Sequence, residues 1–410
     1  MNLFSIVTIL VVITAIFAYL NTRFLKLPET IGMMIIALLF SVLLIVSGLI
    51  FPVVYDFAIS FIGSIDFSTV LLDIMLSFLL YAGALHTDGS LLKANRRSIT
   101  VFAIVGVLLS ALLVAVMLYL FFLAVQAPVN FWYCLLFGAF VAPTDPIAVL
   151  GILTKAGAPK DVEMKIVGES LFNDGIGVVL FLSLLEIINL GTDKVTIGDI
   201  SLLLLTEIGG GILLGWLLGY VGYWMMKKID HYQSEILITL AIVMGGYALA
   251  QLLHLSGPLA MVFAGLVTGS RSKEDAMSDV TEQYVYKFWE LVDVLLNAVL
   301  FVLIGLEVLT LEFDLSYLIA GLVAIPITLI ARYVSLLLPA TAFKKYIQTS
   351  HNTIKIMTWG GLRGGLSIAM ALSLTAPLPK NQFVFMIYVV VLFSIIVQGL
   401  TVGKVIRKLV

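Results

Sequence analysis

Apolar runs long enough to cross a bilayer follow one another along nearly the whole chain, separated by short breaks that hold charges, glycines and prolines. A transmembrane helix needs about 20 such residues, whereas a barrel strand alternates apolar and polar positions over about ten. The runs here are unbroken, so the pattern predicts an all-α polytopic membrane protein with about thirteen spans. Their approximate limits are 3–20, 31–54, 67–86, 100–125, 131–154, 163–189, 198–226, 233–253, 256–270, 284–310, 315–339, 352–376 and 382–403. The first run has no basic stretch before it and no small-residue cleavage site after it, so it reads as a span rather than a secretory leader.

Charge sharpens this picture. Only 12% of the 410 residues are charged and 61% are hydrophobic, against about 25% charged in soluble domains. A net charge of -2 offers no basis for a nucleic-acid partner, and no soluble partner is evident. The single cysteine, Cys134, excludes an intramolecular disulfide. All but four of the 23 Lys and Arg residues fall in loops after odd-numbered spans, from Arg23 and Lys26 to Lys404, Arg407 and Lys408. Loops after even-numbered spans hold only Lys194 and Lys380. Cytoplasmic loops carry the basic excess, so the N-terminus is expected outside and the C-terminus in the cytoplasm. No large soluble tail follows the last span.

The informative residues are the charges inside spans. Asp174 lies nine residues past Lys165, Asp145 ten before Lys155 and Arg363 eight past Lys355. At about 1.5 Å per residue each sits roughly 12–15 Å from the cytoplasmic edge, near the middle of a hydrocarbon core about 30 Å thick. A carboxylate there costs roughly 2.5–3.5 kcal/mol on insertion scales, so it marks a functional site by default. Two of the spans that carry these charges are interrupted. Ala142-Pro143-Thr144-Asp145-Pro146 has prolines on both sides of the charge, and Gly360-Gly361-Leu362-Arg363-Gly364-Gly365 has four glycines around the arginine. Irregular backbone at that depth must be buried in protein or face a wet cavity. Two broken helices at one depth, running in opposite directions, predict an inverted-repeat transporter with its site at the midplane.

Ser170, Asn173 and Asp174 share one helix face. With Thr144 and Asp145 they form a set of hard oxygen donors suited to Na⁺ or a similar ion and not to a soft metal. Glu169, on the flank of the same helix, needs a positive mate, and Arg363 is the expected one, bracing two spans outside the ion path. The four histidines are scattered near span ends and form no metal cluster. Glu290 and Asp293 are expected to pair locally with Lys287, and Asn297 lies one turn deeper, within reach of the cavity. Gly211, Gly215 and Gly219 predict close helix packing. A competing reading on the same architecture is a proton- or sodium-coupled symporter of an organic solute, which the two carboxylates oppose if that solute is an anion. An intramembrane aspartyl protease would need both carboxylates to share a proton on water, and a channel would need rings of charges or carbonyls. Neither pattern is present, and nothing in the sequence calls for a cofactor.

These motifs resemble the monovalent cation/proton antiporters of the NhaP/NHE type. The matching stretches are Ala142–Pro146 with Ala148-Val149, Gly168–Gly175, Ser256-Gly257-Pro258-Leu259-Ala260 with Ala264-Gly265, Phe288-Trp289 through Asn297, Phe301 and Gly305, and Gly360–Gly365. The resemblance implies an antiporter of Na⁺, or of Li⁺ or K⁺, against H⁺, serving pH and sodium homeostasis, and, because the large regulatory tail of the eukaryotic exchangers is absent, one of a prokaryotic plasma or inner membrane. It implies a homodimer in which a core of approximately 100–189 and 315–403 moves against a scaffold of approximately 1–86 and 198–310. It implies that Asp174 binds cation and proton in competition, helped by Asp145, Thr144, Ser170 and Asn173, and that Glu169 pairs with Arg363. The Asn173-Asp174 pair, where a related branch carries Asp-Asp, implies electroneutral one-for-one exchange.

Overall fold

The computed structural model describes residues 2–191, 197–275, 278–347, 349–375 and 378–410. Lys194 lies outside them, as do the side chains of Arg271 and Lys273 and that of Ala148. The described residues form helices joined by short connections, with no strand among them. Among the described residues, ten helices are long and apolar enough to cross a membrane, and shorter apolar helices accompany them. Each expected span corresponds to one helix or to two half-helices. The surface is strongly apolar: Leu205, Leu213, Trp216 and Leu237 are among many large hydrophobic side chains left exposed, as expected where lipid replaces water as the solvent.

The differences from the expected limits have local causes. The run expected to cross at 31–54 divides into Glu29–Gly48 and a separate helix, Pro52–Gly63. Pro52 occupies the first turn of the second helix, where its missing N–H costs nothing. The helix expected from residue 100 starts at Gly89, because the Asp88 carboxylate accepts from the backbone N–H groups of Ser90 and Leu91 and caps it. It then runs to Ala124 through a widened π-helical stretch, Phe102–Gly106.

Two packing groups position the site. In one, Val107–Ala124 and Lys160–Leu190 both pack on Phe131–Val141, and Leu315–Ala342 packs on Val107–Ala124 and Lys380–Phe393. In the other, Gly257–Asp275 packs on Ile197–Met226 and Leu76–His86, while Glu29–Gly48 packs on Asp279–Glu307. The glycine spacing acts as expected. A Cβ on Gly211 would lie 2.6 Å from the Ser256 carbonyl oxygen and one on Gly219 2.9 Å from that of Ala264, so the Ile197–Met226 helix rests directly on its neighbour's backbone.

Candidate ion site at the crossed breaks

Both interruptions form as the prolines and glycines require. The first span of the pair runs as Phe131–Val141, breaks over 142–146 and resumes as Ile147–Ala156. The second runs as His351–Gly360, breaks at 361–364 and resumes as Gly365–Leu372. Each break leaves backbone groups without helical partners, and the two breaks satisfy each other. The Asp145 N–H donates to the Leu362 carbonyl at 2.7 Å. In a continuous helix the Ala142 carbonyl would receive the N–H of residue 146, but Pro146 has none. The Arg363 guanidinium supplies it: Nη1 donates to the Ala142 oxygen at 2.6 Å and to that of Pro143 at 2.9 Å. The Ser394 hydroxyl accepts from the Arg363 N–H at 2.9 Å, and the Gln398 amide donates to the Trp359 carbonyl at 3.0 Å. Both belong to the π-helical stretch Ser394–Gln398 of the last helix.

This use of Arg363 overturns the expected ion pair. Glu169 is fully buried and pairs with Arg332, whose Nη1 donates to Oε1 at 2.7 Å and Nη2 to Oε2 at 2.5 Å. Arg332 sits in the unbroken part of the Leu315–Ala342 helix and presents the two-pronged geometry that a carboxylate matches best. Arg363 is instead committed to carbonyls that the prolines have orphaned. The role of Arg332 was missed because both arginines lie within spans and depth alone does not say which one faces Glu169. Its position within a span was the available signal.

The Lys160–Leu190 helix is continuous and presents the polar face. Asn173 accepts the Thr144 N–H on Oδ1 at 3.1 Å and donates from Nδ2 to the Thr144 hydroxyl at 2.9 Å and to Glu169 Oε1 at 2.8 Å. The Ser170 hydroxyl lies 3.0 Å from that of Thr144 and also donates to the Thr144 carbonyl. Ser170 and Asn173 therefore stand behind Thr144 and hold it, with their polar atoms turned to the break.

Asp174 faces the other way. It lines a cavity of about 90 Å³ together with Thr144, Asp145, Pro143, Gly364 and Asn297. It keeps part of its surface open to that space, and its carboxylate makes no hydrogen bond or ion pair with any described residue. Ser367, which sequence reasoning passed over, lines the same cavity; it is 1% exposed and its hydroxyl has no hydrogen-bond partner among the described residues. A serine in an apolar half-helix gives no signal until the break has placed it.

The cavity continues toward one end of the molecule. It shares Gly83, Pro146 and Val167 with a vestibule of about 500 Å³ that includes His86, Lys160, Glu163 and Glu290. Asn297 also lines a second vestibule of about 210 Å³ that includes Glu29, Lys155 and Asp293. This is the end that bears most of the basic residues. Asp293 lines both vestibules and accepts from the Asn297 amide at 3.1 Å. The expected pairing of Glu290 and Asp293 with Lys287 does not form among the described residues, because Asp293 turns to the aqueous route. Asn297 reaches the cavity.

Residues 11–408 match the family described as sodium/hydrogen exchanger, transmembrane. The chain is 44% identical to the Na(+)/H(+) antiporter NhaP of Pseudomonas aeruginosa, across 99% of its own length and 96% of that protein's. It is 31% identical to the Na(+)/H(+) antiporter NhaH of Halobacillus dabanensis, across 94% and 93%. Among solved structures, the sodium proton antiporter MjNhaP1 of Methanocaldococcus jannaschii shares the fold with a TM-score of 0.78 at 21% identity, covering 100% of this chain and 99% of that one.

Proposed function

The chain belongs to the transmembrane sodium/hydrogen exchanger family, and we propose that it performs sodium–proton antiport as a secondary active transporter, by alternating access at Asp174. One observation carries the assignment of the site: a carboxylate deep in the bundle, without a hydrogen-bond or ion-pair partner among the described residues, on a cavity that leads to the basic end. A carboxylate so placed binds a proton or an alkali cation but not both, and competition for one group suffices for exchange. Asp145 and Thr144 contribute donors on the facing wall. Ser170 and Asn173 hold Thr144 in position, while Glu169–Arg332 and Arg363 keep the crossing rigid.

On this reading the core, approximately 100–189 and 315–403, carries the site past a scaffold of approximately 1–86 and 198–310, and the two packing groups support that division. The vestibules open at the end with the Lys/Arg excess, so the conformation is cytoplasm-facing, in the plasma membrane of a prokaryote. Two of the least covered spans, Phe4–Leu25 and Leu202–Met226, both lie on the scaffold. They are the faces available to a second copy in a homodimer. The physiological outcome is control of internal pH and sodium.

The test is Asp174→Asn in proteoliposomes, with an internal pH dye and pulses of Na⁺, Li⁺, K⁺ or no cation. Cation-driven proton movement should vanish while the variant elutes and melts like the parent. Persistent sodium-driven proton flux in the variant would remove Asp174 from the site. Flux that needs an added organic solute would favour the symporter.

A further inference from the structure

Outside the ion site, the structure holds another cavity, of about 870 Å³ and of opposite electrical character. Three elements build it. Gly89–Val101 supplies Lys93, Arg96 and Arg97; the first turns of Lys160–Leu190 supply Asp161 and Lys165; the segment after Leu315–Ala342 supplies Lys345 and Tyr346. Five basic side chains thus meet one carboxylate, and that carboxylate is already engaged: Asp161 accepts from the buried Lys165 ammonium at 2.8 Å. Among the described residues, no ion pair or side-chain hydrogen bond engages Lys93, Arg96, Arg97 or Lys345. Four like charges gathered in one concavity repel each other, so the arrangement is complete only with a polyvalent anion. The volume is within the range of about 300–1,000 Å³ usual for small-ligand sites.

We propose that this cleft binds the phosphate-bearing headgroup of an anionic phospholipid. What selects a lipid over a free phosphate compound is the surface leading away from the cleft. Ile104, Val105 and Leu108 follow the basic turn on the same helix and are exposed. Leu338 precedes Lys345 and is exposed as well, as are Phe343 and Tyr346 beside it. These two helices pack together, so the charged cleft sits at the head of an apolar track suited to acyl chains. Basic pockets between spans at the cytoplasmic surface are where acidic lipid headgroups dock, and a planar guanidinium such as that of Arg96 or Arg97 suits phosphate oxygens. The proposal does not depend on the ion assignment at Asp174.

The experiment uses the full chain in a neutral detergent, with fluorescent phosphatidylglycerol and fluorescent phosphatidylcholine as probes. Phosphatidylglycerol should bind saturably and phosphatidylcholine should not. Arg96→Gln combined with Arg97→Gln should weaken binding about 25-fold, taking about fivefold per removed charge near an anionic lipid. Lys345→Gln, on a different element, should weaken it about fivefold and guards against a folding artefact in the double variant. Millimolar glycerol phosphate or inorganic phosphate should compete poorly. Equal binding by parent and both variants would overturn the proposal. Full competition by the water-soluble phosphates would overturn the choice of a lipid. In liposomes of phosphatidylcholine alone, both variants should retain sodium-driven proton exchange, which confirms that they fold.

Discussion

Arg332 grips Glu169 with both nitrogens of its guanidinium fork, at 2.7 and 2.5 Å, while the neighbouring Arg363 forms no ion pair with a described carboxylate and holds two backbone carbonyls instead. Two buried cations within one core thus have separate tasks, and substitutions should tell them apart.

Arg332→Gln leaves Glu169 buried without its counter-charge, a change that typically costs about 3–5 kcal/mol. The variant should melt well below the parent in detergent, with low yield. Adding Glu169→Gln should recover much of the loss, since a neutral pair no longer strands a charge. If the double variant is as unstable as the single one, the pair is not what holds these helices.

Gly364 is fixed by clearance, not by backbone conformation: its φ is −123°. A Cβ there would lie 2.7 Å from Asp145 Oδ2 and 2.9 Å from Asp145 Cβ. Gly364→Ala should therefore push the crossed breaks apart and cut exchange by roughly 5–150-fold, the equivalent of an overpacking strain of about 1–3 kcal/mol. Sodium-driven flux at the parental rate would show that the breaks tolerate separation.

Ser367 lines the cavity that holds Asp174, and its buried hydroxyl has no hydrogen-bond partner among the described residues. Ser367→Ala removes a donor atom and little volume. The apparent KM for Na⁺ should rise roughly 2–10-fold, the worth of one hydrogen-bond-sized interaction, with melting temperature unchanged. A shifted melting temperature with an unchanged KM would mark the serine as packing only.

If Asp174 alone carries either one proton or one sodium ion, a full cycle moves no net charge. An imposed potential of 100 mV acts on an uncompensated charge with about 2.3 kcal/mol, up to about 50-fold in rate. Exchange in liposomes clamped by valinomycin and K⁺ gradients should stay within experimental scatter of the unclamped rate. A rate that follows the potential would mean that a second group loads or unloads with Asp174.

Some of this was readable along the chain because it depends on local chemistry and length. Apolar runs must hide their backbone bonds inside helices, so the spans follow from hydropathy. Pro143, Pro146 and the glycines around Arg363 cannot sustain a helix, so the breaks follow from residue type. A charge at that depth is too costly in lipid to be incidental, so Asp174 and Asp145 stand out. The packing of Gly211, Gly215 and Gly219 is legible for the same reason: small residues at helical spacing have only a neighbouring helix to meet.

What lies across space was decided by the fold. Which arginine neutralises Glu169 depends on which guanidinium is left over after the carbonyls freed by Pro146 have been served, and no spacing encodes that. The division of one helix face, with Ser170 and Asn173 turned to Thr144 and Asp174 turned to the cavity, depends on where the opposite break crosses. Ser367 and Asp293 acquire meaning only because separate helices bring them to the aqueous route. Solvation and chain length act on a residue by itself, so they are written in the sequence; partnership is a choice among competitors, settled only when all of them are in place.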